Sequence, residues 1–426
     1  MKAIALALAL LVPVLTARSQ DTQETFDADS FFSAATAGTG APEPDPALAG
    51  YGSYALSPAY GPAGLAFTGE ANIDLLFAIS EPFDGSSRSA GYTGITSLRI
   101  DVLGGDRNEA KVEASAIVRM VYGDGADAVR AAASEALANP ELEAYLLGDS
   151  GPVVSLELKK LYLSIYTQHA DLSAGRMIIN YGRGTVFSPV DLFSSVDTAD
   201  LGLGRLGTDA LRVLLPLGSF SGLDLVAALG DASGAALAGG RLYGNSAGVD
   251  FGVSLFGDGL ADGDGDLVAA MDFKGDLELG ISAEAVARVP FAEWVPRSGD
   301  AVYSLMLGAD YSLGGEWLFD LEYLWNLRAG SEFAVGSFRS EHNLFSSLSW
   351  QPDELTALDL RCIIVPSGGA MQATLSLSRD VAKGARISGF ALYRSGDVEG
   401  RFLGSAMPPA GDGTIVSLGM RLSVAY

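Results

Sequence analysis

The chain has 426 residues, of which 48% are hydrophobic and 53 are glycine, with 52 acidic side chains against 27 basic ones. The acidic excess argues against nucleic acid as a partner, because nucleic-acid phosphates would be repelled. The single cysteine, Cys362, excludes an internal disulfide.

The first nineteen residues have the pattern of an export signal. Lys2 precedes an apolar run over residues 3–15, and the small residues Ala17 and Ser19 stand before Gln20. The run is too short to span a bilayer as a helix, so we interpret residues 1–19 as a signal peptide that is removed before Gln20. The alternative is a buried N-terminal helix. The sequence therefore predicts an exported protein.

Residues 20–66 are polar and rich in proline and glycine, without a sustained period. We expect this stretch to be either a periplasmic tail or a segment that folds inside the domain that follows and plugs its interior. The sequence leaves both alternatives open.

From residue 67 to residue 426 the chain alternates between apolar and polar residues. In "WLFDLEYLWN" the polar set contains Asp320 and Glu322, and the apolar set contains Leu321 and its neighbours two residues away. The same rule in "GDLELGISAEAVA" predicts that Leu279 faces the apolar side and Glu278 the polar side. Side chains alternate between the two faces of a strand, so each segment has one apolar and one polar face.

About eighteen such segments occur, with sixteen as the neighbouring estimate, and no run of eighteen apolar residues follows residue 15. Long connections follow odd segments and short ones follow even segments. These features predict an all-β, transmembrane antiparallel β-barrel over residues 67–426, placed in the bacterial outer membrane among its lipids. A soluble β-sandwich is the alternative, but it needs a second apolar layer that the acidic inner rows do not offer.

The chain ends in "GTIVSLGMRLSVAY", an alternating strand with Tyr426 as its last residue. We expect this strand to pair with the first one, because lipid cannot satisfy the backbone groups of an open edge. The ending resembles the terminal aromatic signal of outer-membrane proteins. That resemblance implies the barrel-assembly machinery as a partner.

Residues 156–193 resemble a stretch of porin-like and alginate-export-like outer-membrane barrels. The matching positions are Gly175-Arg176, Tyr181-Gly182 and Ser188-Pro189-x-Asp191, whereas Met177 stands where the pattern has glutamine. The resemblance covers about forty residues and implies the architecture rather than a substrate. In general porins the third long loop folds inward and narrows the pore. By analogy, we expect the apolar third loop of this chain to fold inward, with an outward loop packed on its neighbours as the alternative.

An inward loop would bring acidic loop residues close to arginines and create a pore constriction of opposed charges, which is a general basis of ion selectivity. The predicted constriction residues are Arg176, Arg183, Asp191, Asp197, Asp200 and Arg205.

The polar faces of the strands predict a charged, water-filled lumen in which acids outnumber bases. Fixed negative charge attracts cations, so the sequence predicts a cation preference. The lining residues are predicted to be Glu113, Arg119, Asp250, Glu278, Glu284, Asp320, Glu322, Asp359, Arg361 and Arg421.

Two other patterns have weaker support. Asp258, Asp262, Asp264 and Asp266 form a glycine-rich acidic loop that is a weak Ca²⁺ candidate, but their spacing matches no known calcium loop. A solvated hairpin loop is the favoured interpretation.

The two histidines, His169 and His342, are expected at opposite rims, so no catalytic pair is predicted and we expect neither an enzyme nor a cofactor.

The predicted function is therefore a porin that admits small hydrophilic solutes passively. One alternative is a non-conducting surface barrel with adhesin-like loops. Another is an exporter of an anionic polysaccharide, which the resemblance suggests and an acidic lumen disfavours.

Overall fold

The computed structural model describes residues 65–426 apart from several gaps. The gaps are residues 83–88, 107–108, 128, 131–142, 147–150, 195–204, 206, 230–235, 260–264, 277, 329–337, 339 and 397–412. The predicted signal peptide and almost all of residues 20–66 lie outside the described residues, so those two assignments stay predictions. The first strand begins at Leu65, two residues before the predicted start of the barrel.

The described residues form one continuous antiparallel sheet of twenty strands. These are β1 (Leu65–Pro82), β2 (Ser89–Asp106), β3 (Ala110–Gly123), β4 (Glu143–Leu146), β5 (Val153–Tyr166), β6 (Asp171–Met177), β7 (Thr208–Gly218), β8 (Ser221–Leu229), β9 (Ala236–Ser246), β10 (Val249–Asp258), β11 (Gly265–Asp276), β12 (Gly280–Ala292), β13 (Val295–Pro296), β14 (Val302–Leu313), β15 (Trp317–Leu327), β16 (His342–Asp353), β17 (Thr356–Val365), β18 (Ala370–Ala382), β19 (Ala385–Ser395) and β20 (Gly413–Ala425).

Eighteen of these strands form a closed barrel, which confirms the predicted fold and strand number. The short strands β4 and β13 only extend the hairpins that contain β5 and β12. The barrel closes where β1 pairs with β20, from Glu70 opposite Ala425 to Pro82 opposite Gly413. Closure leaves no unpaired edge among the described wall strands, as a lipid environment requires.

The wall has an apolar outer face and a polar inner face. Leu321, Leu418 and Leu255 lie in outward rows and are 51%, 59% and 54% exposed. Their sequence neighbours point into the lumen, and Glu322 is only 2% exposed. An apolar exterior around a polar interior is the arrangement of a barrel that spans a membrane. Among the described residues, no helix is long and apolar enough to cross a bilayer.

The connections alternate in length as predicted. When the eighteen wall strands are counted without β4 and β13, short turns follow the even-numbered strands and longer connections follow the odd-numbered ones. Residues 167–170 after β5, the fourth wall strand, and residues 247–248 after β9, the eighth, are two of the short turns. One prediction is wrong in this region: Glu278 and Leu279 lie in the turn between β11 and β12, not in the wall. Alternation continues through the turn "DLEL", so the apolar period alone could not show where the strand ends.

The aromatic residues at the periplasmic rim fit an interfacial belt. Trp317 stacks on Trp350 of the neighbouring strand, with 5.3 Å between ring centroids. Tyr426 is 53% exposed, and its hydroxyl donates to the carbonyl oxygen of Arg99 at 3.1 Å. Aromatic rings with one polar group are favoured at the membrane–water boundary, so the last residue both anchors and closes the barrel.

Candidate pore constriction

After β6 the chain leaves the wall and crosses the lumen. Residues 178–194, called the inward segment below, pack against strands from β8 to β17, which include the strand opposite β6 in the barrel. Two buried glutamates of the wall, one on β12 and one on β15, accept hydrogen bonds from this segment. The structure therefore confirms that the third long connection folds inward over its described part.

Glu284 on β12 binds the inward segment at two places, on either side of its middle. One carboxylate oxygen accepts the backbone N–H groups of Arg183 and Gly184. The other accepts the Ser188 hydroxyl at 2.9 Å and the backbone N–H of Val190 at 3.1 Å. Glu284 is 1% exposed, so all of its acceptor capacity is directed at the segment.

Glu322 on β15 holds the middle of the segment in the same way. One oxygen accepts the backbone N–H of Thr185. The other accepts the N–H of Val186 at 3.1 Å and that of Phe187 at 2.8 Å. Hydrogen bonds to a charged acceptor are roughly twice as strong as neutral ones, so two carboxylates fix seven donors of the segment.

Apolar side chains of the inward segment pack against inward-facing apolar residues of the wall in two clusters. Tyr181 and Val190 belong to the first, together with Phe256 of β10 and Val286 of β12. Phe187 belongs to the second, where its ring lies 4.7 Å from that of Phe338 in an edge-to-face arrangement. Each ring removes a large apolar area from water, which explains why an apolar loop folds inward.

A charged network lies beside the first apolar cluster. Arg183 donates to Asp272 of β11 at 2.9 Å, and the fully buried Arg241 of β9 donates to both oxygens of the same carboxylate at 2.8 Å. Arg241 also lies over the ring of Tyr181, 4.9 Å from its centroid. Asp250 is the second carboxylate near Arg183, at 3.8 Å.

The end of the inward segment has its own ion pair. Asp191 is almost fully buried, accepts the Ser194 hydroxyl at 3.3 Å and pairs with Arg205. Arg205 lies between the inward segment and β7, so this ion pair joins the end of the segment to the connection that leads back to the wall. Asp191, Arg183 and Arg205 thus lie together at the inward segment, and their role in a pore constriction stays a prediction.

Two regions of the wall, which leave out β6 and β7, differ in their contacts. We call β8–β17, which pack against the inward segment, the covered wall. We call β18–β20 together with β1–β3 and β5 the facing wall. Charged side chains of the facing wall pair with one another: Arg421 with Asp74 at 2.6 Å, Arg99 with Glu70 at 3.4 Å, Arg119 with Glu157 at 3.5 Å, and Lys160 with Glu113 at 2.8 Å.

Some predicted constriction residues do not join the site. Arg176 pairs with Asp209 of β7 at 3.2 Å, and the register places both in the outward row that contains Leu211. The prediction that Arg176 lies inside is therefore wrong, since Arg176 shares the alternate positions of Leu172, which is 42% exposed. Asp197 and Asp200 lie outside the described residues.

The predicted lining residues fall on inward rows, with the exception of Glu278 in its turn. Asp320 shares the row of Glu322 on β15, and Asp359 accepts the Ser349 hydroxyl at 2.6 Å. Arg361 lies between Ser347 and Thr374 of the adjacent strands. Glu113, Arg119 and Arg421 line the facing wall, whereas Asp250, Glu284 and Glu322 lie under the inward segment.

The sequence reasoning missed several charged residues of the lumen. Asp272 alternates with Met271 and Phe273, so the alternation held enough signal to place it inward. Arg241 lies in the glycine-rich stretch "AGGRLYGN", where apolar and polar residues do not alternate clearly, so the sequence does not show which face of the strand Arg241 occupies. Other inward charges outside the predicted set include Glu70, Glu157 and Asp266 among the acids and Lys160, Arg288 and Arg394 among the bases. Acids and bases in this group offset one another.

The weak calcium candidate is only partly described. Arg288 binds both Asp258 and Asp266, at 2.8 Å to the latter, whereas Asp262 and Asp264 lie outside the described residues. Within the part of the chain that the structure describes, no three His, Cys, Asp or Glu side chains form a group suited to a metal. An arginine between two carboxylates favours the hairpin interpretation.

Comparisons with known proteins identify the architecture. No protein-family model and no curated protein matches the chain. Among solved structures, OccK7 (OpdD) of Pseudomonas aeruginosa is similar with a TM-score of 0.51 and 9% identity, over 86% of this chain and 99% of that one. OccAB2 of Acinetobacter baumannii gives 0.49 and 7%, over 84% and 98%. The chain has the fold of an outer-membrane porin barrel.

The porin-type fold and the apolar exterior place the chain in the bacterial outer membrane, as predicted. Identity below 10% is too low to transfer a substrate. What passes through the lumen has to be inferred from the chain's own residues.

Proposed function

We propose that the protein is a passive channel that admits small hydrophilic solutes through a water-filled lumen narrowed by the inward segment. The observation that supports this most directly is the segment itself, which is fixed across the interior by Glu284 and Glu322 and leaves a charged facing wall opposite it. A closed barrel with a polar interior holds water, and a fixed constriction limits which solutes pass.

We further propose that the channel prefers cations. Without Glu278, which lies in a turn, and without the covered Glu284 and Glu322, the predicted lining residues still contain four acids against three bases. Fixed negative charge in a narrow aqueous path attracts cations, and salt screens this attraction over about 10 Å at 0.1 M. The preference should therefore fade as ionic strength rises.

Planar-bilayer recording of the purified full chain tests both proposals. Stepwise conductance is expected, with a reversal potential in a KCl gradient that indicates K⁺ preference. A barrel that acts only as an adhesin would give no conductance steps. A clear anion preference would contradict the charge assignment and favour export of an anionic polymer. Solute uptake in a strain that lacks its own porins would then identify the permeant class.

The last strand, β20, supports one partner proposal. Tyr426 follows it directly, and its outward apolar row consists of Val416, Leu418, Met420, Leu422 and Val424. We propose that the barrel-assembly machinery recognises this strand before it closes on β1. Removing Tyr426 is expected to lower the amount of assembled barrel in the membrane, which gel mobility without heating measures.

A further inference from the structure

The inward segment presents its backbone N–H groups to the wall as two separate groups of donors. The N–H groups of Arg183, Gly184 and Val190 converge on Glu284, and those of Thr185, Val186 and Phe187 converge on Glu322. Successive N–H groups that converge on one point form an anion-binding concavity, which fixes a carboxylate without any basic side chain. Both concavities lie within eight residues, and the donors to Glu322 lie in sequence between the two parts of the group that binds Glu284.

The residues that shape these concavities leave little freedom for substitution. A Cβ atom on Gly182 would lie 1.8 Å from the Ser188 hydroxyl, and one on Gly184 would lie 2.0 Å from the Phe187 carbonyl oxygen. The backbone N–H of Asp191 donates to the Ser188 carbonyl at 3.2 Å, and this turn directs the Val190 N–H toward Glu284. The Gly182 and Ser188-Pro189-x-Asp191 positions therefore build the first concavity.

The burial of the two glutamates shows that their carboxylates bind the segment and are shielded from solvent. Both are at most 2% exposed, and every carboxylate oxygen accepts at least one donor from the segment. Glu113 of the facing wall differs, because its partners Lys111, Lys160 and Tyr162 all belong to the wall. A buried carboxylate that lost its donors would be strongly destabilised, so each glutamate and its concavity require one another.

We propose that residues 183–190 form two carboxylate-binding sites, that Glu284 and Glu322 occupy them as positioning residues, and that this occupancy sets the cross-section of the lumen. Each glutamate acts through the segment and touches no permeant. The statement about the cross-section rests on the proposed channel function, whereas the statement about the position of the segment does not.

The test uses thiol labelling of the folded barrel in detergent. The parent protein contains Cys362→Ser, which removes the native thiol, and Val186→Cys, which places a thiol where the side chain is only 5% exposed. Glu322→Ala in this parent should raise the maleimide labelling rate about tenfold or more, since even one hydrogen bond to a charged group is worth that factor. Glu113→Ala is the matched control and should leave the rate unchanged.

Formate distinguishes recognition of a carboxylate from simple filling of space. Formate at high concentration should enter the vacated site of the Glu322→Ala protein and return the labelling rate toward that of the parent. Sodium chloride at the same ionic strength should not. A higher labelling rate without rescue by formate would contradict the carboxylate-binding sites, and so would unchanged protection in both Glu284→Ala and Glu322→Ala proteins.

A conservative variant keeps the test decisive if the alanine variants do not assemble into a barrel. Glu322→Gln keeps one acceptor oxygen and the side-chain volume, and it should give a smaller rise in labelling than Glu322→Ala; no rise in this protein and none in Glu284→Ala would overturn the proposal. Single-channel recording of the same set should show larger conductance for Glu322→Ala than for Glu113→Ala. Absence of conductance in every protein, the parent included, would count against the channel function while the labelling result still decides the proposal.

Discussion

The covered wall and the facing wall use acidic side chains in different ways. On the covered wall, Glu284 and Glu322 are buried and accept backbone N–H groups of the inward segment. On the facing wall, Asp74 and Glu113 accept Arg421 and Lys160, which are wall residues themselves. The same residue types therefore fix a constriction in one half of the lumen and form a paired, charged lining in the other.

This difference teaches that an inward-facing acid is not by itself a lining residue. The strand register places Glu322 and Glu113 on equivalent inward rows, and only their partners separate them. A substitution should therefore have unequal effects in the two walls, which the following experiments test.

Removing an apolar anchor of the inward segment should have the largest effect. Phe187 is 1% exposed and packs against Phe338 and Phe345, so Phe187→Ala should cost about 3–5 kcal/mol of local packing. Because the wall strands keep their pairing, the barrel should still assemble, and single-channel conductance should rise. Phe390→Ala, at an inward position of the facing wall, is the control and should leave the segment in place. Equal conductance changes in both proteins would remove the distinction between the walls.

The outer face tests whether the register is right. Leu321 is 51% exposed in the middle of β15, and arginine facing lipid at the midplane costs about 2–4 kcal/mol. Leu321→Arg should therefore lower the amount of heat-modifiable, assembled protein. Leu279→Arg should cost about 0–1 kcal/mol, because this residue lies in a turn at the rim. Similar assembly yields for the two proteins would contradict the boundary between β11 and β12.

Much of the fold could be predicted from the sequence, since period-two alternation follows from strand geometry wherever one face meets lipid. The eighteen strands, the outward row of Leu321 and the closing strand before Tyr426 all depend on that rule. The boundary at Glu278 could not be predicted, because a short turn changes neither hydropathy nor period. The outward position of Arg176 departs from the expectation that charged side chains face the lumen, and its ion pair with Asp209 of the next strand explains how the outer face accommodates it.

The constriction was only partly predictable. The apolar character of Phe187 and Val190 indicated an inward loop, and Glu284 and Glu322 were placed inside the barrel. Their role in binding the segment depends on backbone N–H groups, which every residue possesses, so no side-chain pattern reveals it. Contacts between residues about a hundred positions apart also require the closed barrel to be known first.

A facing-wall ion pair should give the smallest structural effect. Asp74 accepts two hydrogen bonds from Arg421, at 2.6 and 2.9 Å, and Asp74→Asn should cost about 1–3 kcal/mol, which a barrel tolerates. Loss of one fixed negative charge should also weaken the proposed cation preference, seen as a smaller reversal potential in a KCl gradient. An unchanged reversal potential would show that this pair lies away from the conducting path.

The most direct test of the account asks which wall borders the conducting path. Ser97→Cys places a thiol on the facing wall, in the row of Arg119, and Val286→Cys places one on the covered wall, where the side chain is 3% exposed beneath the inward segment. Both proteins carry Cys362→Ser, and a charged thiol reagent is added during single-channel recording. The account predicts that modification lowers the current through the Ser97→Cys protein and leaves the Val286→Cys protein unaffected. Current block only in the Val286→Cys protein would contradict it.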